Sequence, residues 1–424
     1  MGAWLVAALV AGEAFLLGAG ITGRSDRVRL APLVRGGALL SIGTLLLTGA
    51  IEWSPRYYAV IVWLVATTLL GLRRWSRRGQ PVAGGRAIVV GLSTLLVTFL
   101  AASPILVFPE FSPILPTGEL PVASSVRTIV DTSRVDPFSK HGRDRLLTIG
   151  IWYPVDSGAT YPLVVFSHGA FGIRDSNVSL FTDLASHGYV VASVDHTWHS
   201  LFSTDESGHT VLIAGAYMRD VRAEDAGRDP ERSFRLYQEW MGLRMADLDF
   251  VIDHILDHRG DPVFGLVDRS RIGLAGHSLG GAAALGLGRS RTDVDAVVAL
   301  EAPFLADIRG VEDGHFIWDP DPYPTPVLCV YSDSAWGHLD EWPQYRGNLE
   351  VAREPISDTV HLEGVGHLHL TDLGLTSPFL TRVLNGHPST GDAREALEVL
   401  NRHTVAFFDL HLKKTRESRG PFDG

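Results

Sequence analysis

Three kinds of residue in the second half of this sequence could together break an acyl bond: a serine in a glycine-framed turn, a histidine in a glycine-rich loop, and carboxylates at strand ends. The serine is Ser278, in Arg271-Ile272-Gly273-Leu274-Ala275-Gly276-His277-Ser278-Leu279-Gly280-Gly281, which opens into Ala282-Ala283-Ala284-Leu285. An apolar run, a Gly-X-Ser-X-Gly turn and a run of small residues predict strand, sharp turn and helix. Only small residues fit two before and two after such a serine, and Gly276 and Gly280 stand there. Ser278 then projects its hydroxyl from the top of a sheet, and the Leu279 amide, at a helix N-terminus, faces a developing oxyanion.

A serine hydroxyl is a poor nucleophile until a base takes its proton, and a carboxylate must hold that base in the right tautomer. Downstream of Ser278 the base candidate is His367, in Gly364-Val365-Gly366-His367, with His369 as the alternative. Two strand ends compete for the acid: Glu301 after Ala296 to Leu300, and Asp333 after Val327 to Ser332. The physics of the residues leaves these two equal. The second oxyanion donor is expected in Ser167-His168-Gly169-Ala170-Phe171-Gly172, after an early strand, where the Ala170 amide is the nominee and His168 reads as structural. His361, His367 and His369 have no further ligands nearby in sequence, so no metal or cofactor is expected. Cys329 is the single cysteine; it lies in an apolar run, reads as core, and excludes an intrachain disulfide. No repeat, phosphate-cradling loop or basic nucleic-acid patch stands out.

The elements that must position these residues alternate apolar strands with helices from about Val126 onward, the signature of an α/β fold on a largely parallel sheet. Strand candidates are Leu147 to Tyr153, Leu163 to Ser167, Val190 to Val194, Ile272 to Ala275, Ala296 to Leu300 and Val327 to Tyr331. Trp240, Leu243, Leu248, Val251, Ile252, Ile255 and Leu256 are spaced for the buried face of a long helix, and a final helix is expected over about Asp392 to Leu412. Ser203 to Pro230 turns polar and acidic and is expected to be a loop or lid on the catalytic face. The tail, 413–424, is charged and expected to be disordered.

The first 108 residues differ. Of 424 residues 46% are hydrophobic, and the excess sits in this part, where arginines outnumber acids; the remainder carries the acidic surplus behind the net charge of −11. Four apolar stretches, Ala3 to Ala19, Leu33 to Ile51, Tyr57 to Leu72 and Ala87 to Phe108, are each near the ~20 residues needed to cross a bilayer, the third being short and the first containing Glu13. Arg24, Arg27, Arg29 and Arg35 fall between the first and second, and Arg73, Arg74, Arg77, Arg78 and Arg86 between the third and fourth, so both loops are expected in the cytoplasm and everything after Phe108 outside it. Trp53, Tyr57 and Trp75 fall at span ends, as interfacial anchors do. Gly36, Gly37, Gly43 and Gly49 fit a compact bundle and a face for homo-oligomers equally well. Prolines at 104, 109, 113, 116 and 121 place a linker at 109–125, between a membrane region at 1–108 and a catalytic domain at 126–412.

Four blocks carry a resemblance. Phe166-Ser167-His168-Gly169-Ala170-Phe171-Gly172-Ile173-Arg174, then Asp183 to Ala192, then Gly276-His277-Ser278-Leu279-Gly280-Gly281, then Gly366-His367 resemble the type II platelet-activating factor acetylhydrolases, calcium-independent serine esterases of the α/β-hydrolase fold. The similarity spans roughly Thr148 to Pro378 and leaves the four apolar stretches outside. It implies an α/β-hydrolase fold preceded by a four-helix transmembrane region, with Ser278 as nucleophile, His367 as base, and Ala170 and Leu279 as amide donors. It also implies Glu301 as the acid, because the family's carboxylate stands in a Leu-Asp-Ala context and Leu300-Glu301-Ala302 matches it, glutamate replacing aspartate. Asp333 remains the alternative. Trp198, Trp318 and Trp336, in the region of the acyl pocket and lid, have no match in the family pattern.

The resulting expectation is a multi-pass membrane protein with an extracytoplasmic serine carboxylester hydrolase domain, acting on lipid-like or short-acyl esters beside the bilayer. Polyester, thioester or lactone hydrolysis would use the same constellation. A scaffold retaining a catalytically weak hydrolase domain is the alternative from another class.

Overall fold

The computed structural model describes residues 1–22, 30–76, 85–139, 141–155, 158–351, 356–385 and 389–413. By internal contacts the chain forms two units, Met1–Ser112 with Thr376–Leu380, and Pro113–Leu375 with Thr381–Gly424.

The first unit holds four apolar helices: α1 (Gly2–Ile21), α2 (Ala31–Leu47), α3 (Tyr58–Ser76, entered through a 3-10 turn at Pro55–Tyr57) and α4 (Gly85–Val107). Val6, Leu9, Ile42, Val60, Leu64, Ala102 and Ile105 pack inward, while Leu40, Leu47, Leu69 and Leu96 face outward. Helices apolar on every side suit a hydrocarbon solvent. Three are long and apolar enough to cross a membrane: Gly2–Ile21, Pro55–Ser76 and Gly85–Val107. The short one is α2, not the third stretch. It stops at Leu47 because the Thr48 amide makes its last i→i−4 bond, to Thr44, and Gly49 then turns the chain with a positive φ of 70°. Its 17 residues span ~25 Å. Glu13 is buried and binds Arg35 of α2 through two contacts, Nε to Oε1 at 2.6 Å and Nη2 to Oε2 at 2.8 Å. Arg24, Arg27, Arg29, Arg77 and Arg78, and the tail at 414–424, lie outside the described residues.

The second unit is built on an eight-stranded sheet. In chain order its strands are β1 (Val122–Val135), β2 (Asp144–Pro154), β3 (Tyr161–Ser167), β4 (Val190–Asp195), β7 (Val267–His277), β8 (Val294–Leu300), β11 (Val327–Ser332) and β12 (Ser357–Leu362). Hairpins β5 (Phe202–Thr204) with β6 (Thr210–Leu212), and β9 (Ile308–Glu312) with β10 (His315–Trp318), stand apart from it. The spatial order is β1-β2-β4-β3-β7-β8-β11-β12; β2 is antiparallel to both neighbours and every later pairing is parallel. β1 takes in the last residues of the proline-rich stretch, from Val122.

β3, β4 and β11 are buried along their whole length, which is why they read as unbroken apolar runs. Their side chains alternate between two layers. Leu163 and Val165 join the cluster under α7 (Pro230–Asp257), with Leu248, Val251, Ile252 and Ile255. Val164 and Phe166 join the opposite cluster, with Phe181 and Leu184 of α5 (Val178–Ser186) and Leu400 and Phe408 of α9 (Ala393–Phe408). Asp229 caps α7 by accepting from the Arg232 amide, with Pro230 at the first helical position, and Asp392 caps α9 in the same way. A further turn, Asp409–Lys413, continues α9, and Lys413, expected at the start of a disordered tail, donates to the His187 carbonyl at 2.6 Å.

The polar stretch Ser203 to Pro230 is not an open loop. Asp205 accepts from Ser207 and His209 to close the β5–β6 turn, Gly208 supplies a φ of 85°, and α6 (Gly215–Ala223) follows. Of the acidic residues that made it look like a loop, Asp205, Asp225 and Asp229 act as turn and capping acceptors, while Asp220 pairs with Arg232 and Glu224 accepts from Ser233 and Tyr237.

Candidate active site

β7 ends at His277, and α8 (Leu279–Ser290) begins two residues later. Between them Ser278 holds φ 53° and ψ −125°, a conformation that costs a non-glycine residue ~1–3 kcal/mol. Surrounding bonds impose it: the Ser278 amide donates to the Leu300 carbonyl of β8 at 2.8 Å, and the Ala282 amide to the Ser278 carbonyl at 3.0 Å. The framing glycines are sterically required. A Cβ at Gly276 would lie 2.5 Å from the Gly280 carbonyl carbon, and one at Gly280 would lie 2.1 Å from the Ser167 oxygen. Ser278 is the half-exposed residue in this buried turn.

His367 opens a 3-10 turn, His367–Leu370, after β12. Its Nδ1 lies 2.6 Å from Oε1 of Glu301, and its amide donates to Ser334 Oγ at 3.0 Å. Nδ1 donates to the carboxylate, which leaves Nε2 as the lone-pair nitrogen. His277 ties this histidine to the turn carrying the serine. Its Nε2 donates to the His367 carbonyl at 3.1 Å and the two rings stand 4.4 Å apart. Burial, and after it the neighbouring His367, hold the His277 imidazole well below the usual range, so it stays neutral.

Glu301 is buried at the end of β8 with φ 46°. Its amide donates to the Val330 carbonyl at 2.7 Å, and its carbonyl accepts from Tyr345 at 3.1 Å. Oε2 accepts from both the amide (2.7 Å) and the hydroxyl of Ser332. A buried carboxylate needs such donors. Asp333 is turned elsewhere: it is half exposed, accepting from His361 Nε2 at 2.8 Å and the Gly364 amide at 2.8 Å. His369 is buried, with Nδ1 accepting from the Gly366 amide and from Asn385.

The loop after β3 lies against the same turn. A Cβ on Gly169 would stand 3.2 Å from the Ser278 Cβ. Among the described residues no hydrogen bond engages the Ala170 or Leu279 amide. His168 is fully buried; its Nδ1 donates to the Gly169 carbonyl at 2.7 Å and its Nε2 pairs with Ser200 Oγ at 2.7 Å. Beneath it Arg145 grips Asp247 with two bonds, 2.9 and 2.7 Å, Asp247 meets His196 Nδ1 at 3.0 Å, and His196 Nε2 meets Ser167 Oγ at 2.8 Å. Ser167, His196 and Asp247 repeat the order of a catalytic triad, but all three are sealed from solvent. Their role is to fasten the end of β3.

The sequence reading passed over Ser332, Ser334, His277, Arg145 and Asp247. Ser332 and Ser334 flank Asp333, and a serine pair at a strand end is a donor signal that could have been used. Arg145 and Asp247 are 102 positions apart, and no local pattern joins them. Cys329 is buried, its thiol pushed up to about 12 by that burial. Trp336 stacks on His361, Trp318 packs against Gly347, and Trp198 donates to Asp136.

Strand order, strained serine turn and a histidine paired with a carboxylate define an α/β hydrolase with a serine centre. A sequence model of the family described as platelet-activating factor acetylhydrolase, isoform II, matches residues 152–213. The platelet-activating factor acetylhydrolase of Cavia porcellus is 31% identical over 274 residues, 61% of this chain and 59% of that protein; the Canis lupus familiaris protein is 23% identical over 280 residues, with the same coverage. A cutinase of Thermobifida fusca is 27% identical over 53% of this chain and 59% of its own length. A solved ferulic acid esterase from Streptomyces cinnamoneus superposes with a TM-score of 0.55 at 25% identity, covering 70% of this chain and 92% of that one. The chain is an α/β hydrolase similar to the platelet-activating factor acetylhydrolases. It spans about 59% of the length of the acetylhydrolases it matches.

Proposed function

We propose that this protein is a membrane-anchored serine carboxylester hydrolase acting on lipid-like or short-acyl esters. The observation that carries the reading is the 2.6 Å contact of His367 with buried Glu301, tied through His277 to the strained turn of Ser278. Ser278 Oγ attacks the ester carbonyl while His367 Nε2 takes its proton. The Ala170 and Leu279 amides stabilise the tetrahedral oxyanion, and Glu301 stabilises the imidazolium. Collapse expels the alkoxide, which takes the proton from His367 and leaves an acyl-serine. Water, deprotonated by His367, then attacks the acyl carbon, and the second collapse releases the carboxylic acid and restores Ser278.

The names of the relatives, acetylhydrolase, cutinase and esterase, support the ester class. The apolar helices support anchoring in a cell membrane, and their arginine-rich connections support an extracytoplasmic hydrolase unit. Anchoring raises the local concentration of substrates that partition into the bilayer.

The test is hydrolysis of p-nitrophenyl esters from acetate to palmitate by the detergent-solubilised chain beside Ser278→Ala, with fluorophosphonate labelling. Turnover and labelling that vanish in Ser278→Ala support the proposal. A wild type that neither turns over any ester nor takes the label leaves the anchored scaffold as the reading. A reporter after Gly424 that registers in the cytoplasm would reverse the orientation.

A further inference from the structure

Arg244 of α7 is fully buried, yet among the described residues no carboxylate lies within 4.0 Å of it. Arg145, the other fully buried arginine of this region, is neutralised by Asp247, to which it donates two bonds. Arg244 instead donates Nη1 to the His168 carbonyl at 2.6 Å and Nη2 to Tyr217 Oη at 3.3 Å, and its Nε has no partner. A guanidinium left without a counter-charge in the interior is expensive, and buried arginines are ordinarily paired. This one is aimed at the loop beside Ser278.

The bonds lead in one direction. Arg244 holds the carbonyl of the His168–Gly169 peptide. The His168 ring holds the carbonyl of the next peptide, Gly169–Ala170, at 2.7 Å, and the Gly172 amide holds it as well at 3.1 Å. That second peptide carries the Ala170 N–H. Donors on a peptide oxygen polarise the amide at its other end, and a chain of such bonds strengthens each member. Burial, and after it the Arg244 charge, keep His168 well below the usual imidazole range. A neutral His168 has a single proton, on Nδ1, and Nε2 is then free to accept from Ser200.

We propose that Arg244 is a positioning residue for the oxyanion-stabilising loop: it fixes the Gly169–Ala170 amide toward Ser278 and places an unneutralised positive charge beneath it. The inference rests on the ester-hydrolase reading. It assigns Arg244 a share of transition-state stabilisation without contact to substrate.

The test uses the full chain in detergent, p-nitrophenyl butyrate as substrate, and active sites counted with a fluorophosphonate. Arg244→Gln, uncharged, is expected to lower kcat per titrated site tenfold or more with KM within twofold, since removal of a whole oxyanion donor costs ~10²–10³ in kcat. Affinity for a boronic acid, which mimics the tetrahedral state, should fall in step with kcat/KM. Arg244→Lys, which keeps the charge, should regain most of the loss, and Tyr217→Phe should stay within twofold of wild type. Unchanged kcat per site in Arg244→Gln, a rise in KM alone, or an equal loss in Arg244→Lys overturns the proposal. Should Arg244→Gln give no titratable sites, Arg244→Lys against wild type decides: kcat within a few-fold of wild type, with any loss shared by kcat and boronate affinity at constant KM, supports it, and a tenfold loss of kcat or a change confined to KM overturns it. A wild type without turnover or labelling instead removes the hydrolase reading beneath it.

Discussion

Glu301 and Asp333 end neighbouring strands, yet only Glu301 reaches His367, at 2.6 Å, while Asp333 pairs with His361 at 2.8 Å. The difference lies in the backbone. A φ of 46° at Glu301 turns its longer side chain back over the sheet to Ser332 and His367, whereas Asp333 opens a short helix and faces outward.

Glu301→Gln is therefore expected to lower kcat by ~10⁴, the scale seen when a triad carboxylate becomes an amide and the base is held in the wrong tautomer. Asp333→Asn should stay within a few-fold of wild type. Initial rates of p-nitrophenyl ester hydrolysis check both, and a larger loss in Asp333→Asn would reverse the assignment.

The choice between these two carboxylates shows where sequence reading ran out. Buried parallel strands and the period of α7 are visible because burial acts on residues three, four or two apart. The serine turn is visible because its glycines are demanded within five positions. The backbone twist at Glu301, the gift of donors from Ser332, and the Arg145–Asp247 pair depend on strands meeting across the sheet, and nothing local encodes them. The resemblance pointed to Glu301, the carboxylate that meets His367, where the physics of the residues left two candidates equal. The expectation of an open loop at Ser203 to Pro230 failed for a different reason: acidic residues that cap turns have the same composition as those in open loops.

Gly280→Ala would drive a methyl group to 2.1 Å from the Ser167 oxygen, a backbone atom that the neighbouring strand pairings hold in place. Loss of fluorophosphonate labelling and a lower unfolding midpoint are expected. Gly310→Ala is the control, since nothing lies within 4 Å of a Cβ there.

Acid should destabilise the hydrolase unit. Burial first, and nearby positive groups after it, depress His168, His196, His199 and His277, with His196 at about 4. These histidines are neutral when folded, but the unfolded chain binds their protons below its ordinary pKa of ~6.5, so stability is full above that value and falls toward pH 4. Each group contributes up to ~1.4 kcal/mol per pH unit in this window. Unfolding midpoints measured at pH 7.5 and pH 5 should differ markedly. Equal midpoints would show that these histidines are charged in the folded state.

The Arg145–Asp247 pair is expected to behave as buried pairs do, with loss of one partner worse than loss of both. Both side chains are almost fully buried, and Asp247, against the burial that would raise it, is held far below the usual carboxylate range by Arg145. Arg145→Met takes away the two bonds that neutralise Asp247, leaves the buried carboxylate with Arg134 Nη2 at 3.0 Å and His196, and should cost up to ~3–5 kcal/mol. Arg145→Met with Asp247→Leu removes the charge as well as its partner and should recover part of that loss. Denaturant midpoints of the three proteins check this, and a double variant weaker than Arg145→Met would mean that Asp247 also fastens Ser167, through His196, independently of the arginine.

In the first unit the same reasoning applies to Glu13 and Arg35, joined by two bonds between α1 and α2. Among the described residues neither charge has another ionic partner, and α2 packs chiefly on α3, so the pair is a main tie between α1 and α2. Glu13→Leu should lower the thermal midpoint of the detergent-solubilised chain more than Glu13→Leu with Arg35→Leu does, because the double variant leaves no orphaned guanidinium. If the single variant is the more stable of the two, Arg35 reaches an aqueous or headgroup environment by extending its side chain, and the pair is not what joins the helices.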